Sequence, residues 1–170
     1  MDIVQNSIAA RAQNIVVTVE YSKPDDVLTI TVSDDGVGLD GTSLEKVTDP
    51  FFTTRTSRDV GLGVPFFKMA AEMAGGSFDI TSEVGKGTVI TAKFQYSHID
   101  CMPMGDLAES MSALICLNEG VEIKFIFRAD GEEFTTSSGE FIVSLDGIPL
   151  CTPQVMQFVS NYIKENVNIY

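Results

Sequence analysis

Asp34 ends a run in which Leu28, Ile30 and Val32 alternate with Thr29, Thr31 and Ser33. Side chains two apart in a strand point the same way, so Asp34 continues the apolar face. A carboxylate there is costly unless it finds a partner. It opens Asp34-Asp35-Gly36-Val37-Gly38, a D-x-G-x-G pattern. Glycines let the backbone approach a flat ligand, and the carboxylate can accept a hydrogen bond from an exocyclic amine such as that of adenine. Taken alone, the same five residues also fit an ordinary turn.

Asp2 and Asn6 lie four apart on an expected helix and share a face. An amide oxygen suits magnesium, which keeps waters and phosphate oxygens as further ligands. A carboxylate one turn away could orient or deprotonate a water. The plainer alternative is an acidic first-turn residue and a surface amide. Arg55, Arg58, Gly61, Leu62 and Gly63 form a third group, with Gly61-Leu62-Gly63 just before a helix. Backbone N–H groups at a helix start, with two mobile guanidinium groups nearby, suit phosphate. Lys68 and Lys86 could add charge, and Gly85-Lys86-Gly87-Thr88 opens a further strand.

These residues need a scaffold. Asp2–Arg11 reads as a helix, residues 15–21 as a β-branched strand and residues 28–33 as a half-buried strand. A glycine-rich loop at 36–41 and a loop around 50–61 lead to a helix over 62–74. That helix has Pro65 in its first turn and Gly75-Gly76 past its end. Strands are expected at 77–82 and 88–96. Beyond them, Asp106 to Glu109 has N-cap spacing ahead of a stripe of Leu107, Met111, Leu114 and Ile115. Val121, Ile123, Phe125 and Phe127 alternate, Asp130-Gly131 signals a hairpin to Glu132–Thr136, and 139–145 is ambiguous between helix and strand. A last helix follows Pro153 with Val155, Phe158, Val159, Tyr162 and Ile163 on one face. No low-complexity linker marks the boundary near residue 97.

The 170 residues are 44% hydrophobic, enough for a packed core. No apolar run approaches the ~20 residues that span a bilayer, so membrane insertion is not expected. No secretory signal stands at the N-terminus. Cys101, Cys116 and Cys151 are odd in number and widely spaced, which argues for reduced thiols, small buried hydrophobes of a cytoplasmic protein. A net charge of −13 opposes nucleic acid and anionic membrane. It would also repel ATP unless basic groups gather at one place, and the 55–63 stretch supplies them.

In order, these segments resemble the superfamily of histidine kinases, type II topoisomerase ATPase subunits, heat-shock chaperones and MutL-type proteins (GHKL, the Bergerat fold). Asp2 to Asn6 looks like its N box, Asp34 to Gly38 its G1 box and Asp49-Pro50-Phe51-Phe52-Thr53-Thr54-Arg55 its F box. Gly61 to Val64 looks like its G2 box and Gly85 to Thr88 its glycine-threonine motif. The phrase DPFFTTR…VGLGV is nearest to the histidine-kinase branch. The resemblance implies an α+β fold. It would be a two-layer α/β sandwich of the histidine-kinase-like ATPase type, a mixed sheet with helices on one face, plus a C-terminal α/β extension. Residues 1–97 would be the ATP-binding domain and 98–170 an extension packed on it. The first helix begins at residue 2, inside the N box, so native residues upstream are expected.

The resemblance makes ATP and Mg2+ the cofactors and Asn6 the magnesium ligand. Asp34, aided by Gly38 and Thr88, would recognise adenine, and Gly36 would be a further ATP-binding residue. Arg55, Arg58, Gly61, Leu62 and Gly63 would hold phosphates in a lid. In hydrolysing relatives a Glu stands where Asp2 stands, so Asp2 is the candidate catalytic residue, one methylene short. Asp59 replaces the first glycine of the usual G-x-G-L-G. His98, the only histidine, lacks a phosphoacceptor box and reads as a surface or structural residue. The expected function is a Mg-ATP-binding signalling or regulatory module that binds or phosphorylates an unidentified partner protein. A slow dimerisation-coupled ATPase, hence a homodimer, and a non-catalytic nucleotide-gated switch remain the alternatives.

Overall fold

The computed structural model describes residues 1–48 and 62–167, and the expectations placed on Asp49 to Gly61 lie outside them. Helix α1 spans Asp2–Ala9, strand β1 Asn14–Ser22, β2 Val27–Asp34, helix α2 Gly41–Val47 and α3 Gly63–Met73. Strands β3 (Ser77–Glu83) and β4 (Gly87–Gln95) follow. Then come α4 (Leu107–Leu117), β5 (Glu122–Ala129), β6 (Glu132–Ser137), α5 (Ser138–Ser144) and α6 (Pro153–Asn166).

Among the described residues the six strands make one sheet in the order β3-β4-β2-β1-β5-β6. All neighbours are antiparallel except β1 and β5, so the sheet is mixed. The register puts Ile123, Ile15, Asp34 and Thr88 in one row across the sheet, and Phe125, Val17, Val32 and Ile90 in the next. These side chains share a face, which the helices cover. The rows between them, such as Thr18, Thr31 and Thr91, are the open face. The two-layer sandwich follows from this alternation, since a sheet polar on one side needs helices only on the other.

Local chemistry sets the helix ends. Asp106 Oδ1 accepts from Glu109 N at 2.8 Å and starts α4. Ser137 and Glu140 form a reciprocal capping box, which decides the ambiguous 139–145 stretch as helix α5. Helix α2 was not foreseen. Asp40 caps it through Ser43 N at 2.7 Å, with Leu44 and Val47 three apart on its inner side. The core runs the length of the sheet, and Ile15, Ile123 and Phe125 are fully buried within it.

The cysteines are not all small buried hydrophobes. All three are free, but only Cys116 is fully buried; Cys151 is exposed, because it lies in the turn before α6. His98 stands after β4, and its Nδ1 accepts the Asp100 N–H at 3.1 Å, a turn-forming role.

Candidate functional site

Four elements converge where β2 ends. Asp34 sits in the last position of β2, opposite Ile15 of β1 and Thr88 of β4. Its Oδ1 accepts the Gly36 N–H at 2.9 Å and the Thr88 N–H at 3.3 Å. Its Oδ2 accepts the Ser7 hydroxyl at 2.5 Å. A carboxylate has about four acceptor sites, so one remains for a ligand donor. Asp34 borders a cavity of about 390 Å³. Ile3, Asn6 and Ser7 of α1 form one wall, Val37 to Leu39 and Val47 another, and Ile80, Thr88 and Ile90 the floor. The walls are mainly apolar with a few directed polar groups, the usual make-up of a small-molecule site.

The chain around Asp34 is tied at several points. Ser82 Oγ donates to the Gly87 carbonyl at 2.9 Å, receives the Leu39 N–H at 2.8 Å and lies 2.9 Å from Thr88 Oγ1. The Val37 N–H donates to the Ala10 carbonyl at 3.0 Å, and the Gly85 N–H to the Val37 carbonyl at 2.9 Å. Gly38 has φ +68, and a Cβ there would collide with the Glu83 carbonyl. A Cβ on Gly36 would lie 2.8 Å from the Ala10 carbonyl oxygen. Both glycines therefore admit the protein's own backbone, whatever ligand they also face.

Asp35, the first unassigned residue of D-x-G-x-G, does not border the cavity. Its Oδ1 accepts Gln13 N at 2.7 Å and Asn14 N at 2.8 Å, and its Oδ2 accepts Asn14 Nδ2 at 2.7 Å. The Asn14 side-chain bond, followed by the Asn14 N–H, holds its carboxyl below the usual carboxylate range. This clamp fixes the α1–β1 turn and so places the α1 wall.

Asn6 borders the cavity but Asp2 does not. Asp2 is exposed, and a Cβ on Gly63 would lie 2.6 Å from its own Cβ, so the starts of α1 and α3 touch. Leu62 is the N-cap of α3, 46% exposed, and Val64 reaches the cavity. Arg55, Arg58 and Gly61 lie outside the described residues. Lys68 and Lys86 do not border the cavity; Lys86 pairs with Glu83 at 2.8 Å and Lys68 with Glu72 at 4.0 Å. No cluster of three His, Cys, Asp or Glu side chains fit to hold a metal occurs among the described residues. The donor set, one amide oxygen, fits an ion held mainly by phosphates and water rather than a protein cage.

A larger depression, about 700 Å³, lies at the opposite end of β1 and β5. Its borders include Glu20, Asp130, Glu132 and Glu133, and its Arg128 is paired with Glu133 at 2.7 Å and Glu20 at 3.7 Å. That acidic surface repels an anion, so size does not decide between the two.

The profile of the histidine kinase-, DNA gyrase B-, and HSP90-like ATPase family matches residues 1–98, more than half of the chain. The chain belongs to this ATPase family. An uncharacterized sensor-like histidine kinase of Rhizobium meliloti is 34% identical over 95 residues, which cover 53% of this chain and 18% of that protein. Sporulation kinase C of Bacillus subtilis is 33% identical over 89 residues, covering 52% and 21%. The chain thus spans about a fifth of the length of these curated relatives. A solved structure, the N-terminal domain of a DNA repair protein, superposes with a TM-score of 0.52 at 15% identity, covering 79% of this chain and 49% of that one. That likeness is one of fold.

Within this ATPase-family chain, Ser7, Ser82 and the α2 wall were missed by sequence reading. The signal for the serines was present. Ser7 falls on the buried side of α1 with Ile3 and Val4, and Ser82 continues the Phe78–Ile80 alternation of β3. A polar residue in an apolar series needs a partner. For Ser7 that partner is Asp34.

Proposed function

We propose that this chain binds ATP in the cavity beside Asp34, with adenine on the apolar floor and its amine donating to the free acceptor site of Asp34. The observation that carries this reading is Asp34 itself, which accepts from three protein donors, borders a mainly apolar cavity and has acceptor capacity for a further donor. Thr88 and Gly38 flank the base, and Asn6 would hold magnesium, which would bridge and neutralise phosphate oxygens. Arg55, Arg58, Gly61, Leu62 and Gly63 would receive the phosphates, with the N–H groups at the start of α3 favouring negative charge.

The test is binding of fluorescent ATP to wild type and Asp34→Asn. Asparagine turns an N–H donor towards groups that already donate, so the expected loss is roughly tenfold to a hundredfold, the range of a hydrogen bond to a charged group. Wild-type affinity in a folded variant would remove Asp34 from adenine recognition.

We read the chain as a signalling or regulatory module of the cytoplasm that binds or phosphorylates a partner protein, with 98–170 as its C-terminal unit. No described helix is long and apolar enough to cross a membrane. A nucleotide-gated switch is favoured over hydrolysis by one observation: Asp2, the candidate water-activating base, is exposed and off the cavity wall. The fate of the γ-phosphate separates the readings. Label from γ-labelled ATP and magnesium should reach a protein in source extract with wild type and not with Asn6→Ala if this is a kinase. Label that stays on ATP supports the switch, and steady free phosphate supports an ATPase acting as a homodimer.

A further inference from the structure

Helices α4 and α6 pack side by side and run in opposite directions. Three contacts fix their register. Lys164 Nζ lies 4.0 Å from Asp106 Oδ2, Ser112 Oγ donates to the Met156 carbonyl at 2.7 Å, and Glu119 Oε1 accepts the Cys151 N–H at 3.3 Å. The order of these pairs brings Cys116, in the last turn of α4, within about one helical turn of Cys151. Cys151 directly precedes Thr152, the N-cap of α6. Cys116 also stands four residues after Ser112 and shares its face, the face that meets α6. Both are free thiols, but their access differs: Cys116 is 0% exposed, whereas Cys151 is exposed.

We propose that Cys116 and Cys151 form a reversible oxidation site, in which a peroxide joins them as a disulfide that fastens the start of α6 to the end of α4. The exposed thiol reacts first. Cys151 Sγ, as thiolate, attacks one oxygen of hydrogen peroxide. The O–O bond breaks, and the departing hydroxide takes up a proton to become water, leaving a sulfenic acid. Cys116 Sγ then attacks Cys151 Sγ; the S–O bond breaks, and the departing hydroxide takes the Cys116 proton and leaves as a second water. The two thiols have lost two electrons and two protons, and the peroxide has become two waters. Burial pushes the Cys116 thiol above its ordinary value, a hydrogen bond with Ser112 offsets part of this, and Cys151 and Glu119 push it up again. Cys116 is thus shielded from direct attack, and Cys151 is the point of entry.

Other uses of the pair fit less well. A packing role suits Cys116 but not the exposed Cys151. No group of three His, Cys, Asp or Glu side chains fit to hold a metal occurs among the described residues, so the pair lacks the further ligands of a zinc site. A disulfide needs Cα atoms about 4.4–6.8 Å apart, and facing positions of helices packed at about 8–10 Å between axes meet that need. The bond closes a loop that holds β5, β6 and α5, so it restrains that half of the sheet in the unfolded chain. The proposal stands independently of the ATP reading.

The test uses the full chain, reduced and then treated with hydrogen peroxide, as wild type and as Cys101→Ser, which removes the third thiol. The intact mass should fall by two hydrogens with no change of oligomeric state. Digestion without reductant should release a peptide in which Cys116 is joined to Cys151. The thermal midpoint should rise by roughly 5–15 °C and return to its starting value with dithiothreitol. Cys151→Ser, a change at an exposed position, should fold and lose both the link and the shift. Cys116→Ala is the second variant, and its Cys151 should stop as a sulfenic or sulfinic acid. A Cys151 sulfinic acid beside a free Cys116 in the protein that has both cysteines, or a link between two molecules, overturns the site. A linked protein whose midpoint falls overturns the claim that the native packing of α4 on α6 already presents the pair.

Discussion

The two halves of the sheet treat polar groups differently. Around β2, β3 and β4 the covered face carries Asp34, Ser82 and Thr88, and the connected network of Ser7, Gly36, Leu39 and Gly87 holds them in place. Around β5 and β6 the covered face is Ile123, Phe125, Phe127 and Phe134, backed by an aromatic group of Phe141, Phe158 and Tyr162. Polar residues buried there tie neighbouring elements together: Ser138 Oγ accepts Ile123 N at 3.0 Å and donates to Glu122 Oε2 at 2.8 Å, and Ser112 Oγ donates to the Met156 carbonyl at 2.7 Å. One half gathers its polar groups around the cavity where ATP binding is proposed. The other packs for stability.

The comparison breaks most sharply at Phe125, which is 0% exposed. Phe125→Ala should cost about 3–5 kcal/mol of stability in urea unfolding. ATP affinity of the fraction still folded should be unchanged, and a large affinity loss would show that the halves are not separable in this way. Next is Gly38→Ala. It places a Cβ at φ +68 against the Glu83 backbone, so it should cost about 1–3 kcal/mol and also loosen ATP binding. A stability loss with intact binding would free the 36–39 loop from the site. The smallest effect is at Asp35. Its folded pKa is depressed, so its contribution is present above the unfolded value of about 3.9 and is lost as pH falls through the lower folded value. Asp35→Asn should therefore flatten the acid side of the stability-against-pH curve. An unchanged acid side would mean that the clamp on Asn14 is inert.

Much of this division was legible beforehand. Strict alternation from Leu28 to Val32 located β2 and put Asp34 on its inner face, and the Asp130-Gly131 pair located the β5–β6 hairpin. Helix α2 was not legible, because seven residues beginning with glycine carry too little periodicity, and Asp40 with Ser43 is a weak cap signal in a glycine-rich stretch. The 139–145 stretch was undecided because Phe141, Ile142 and Val143 are consecutive and apolar. Ser137 and Glu140, three apart ahead of that run, carry the capping-box spacing that decides it, a signal present in the sequence. The place of Asp2 was also hidden. Spacing put it one turn from Asn6, but it is exposed, lies beside Gly63 and does not border the cavity.

The parallel pairing of β1 with β5 also sets the order of events during synthesis. Asn14 to Tyr21 pair with Glu122 to Ala129, so this ladder closes a loop of roughly a hundred residues, whereas β3 with β4 and β5 with β6 close short hairpins. At about 5–20 residues per second, β1 waits on the order of 5–20 s on the ribosome with one row of N–H and C=O groups unpaired. Until β5 arrives, the nascent sheet ends at a strand whose Ile15, Val17 and Val19 lack their β5 neighbours, a template for mispairing with other chains. Yield of soluble protein should therefore depend on how fast the second half follows the first.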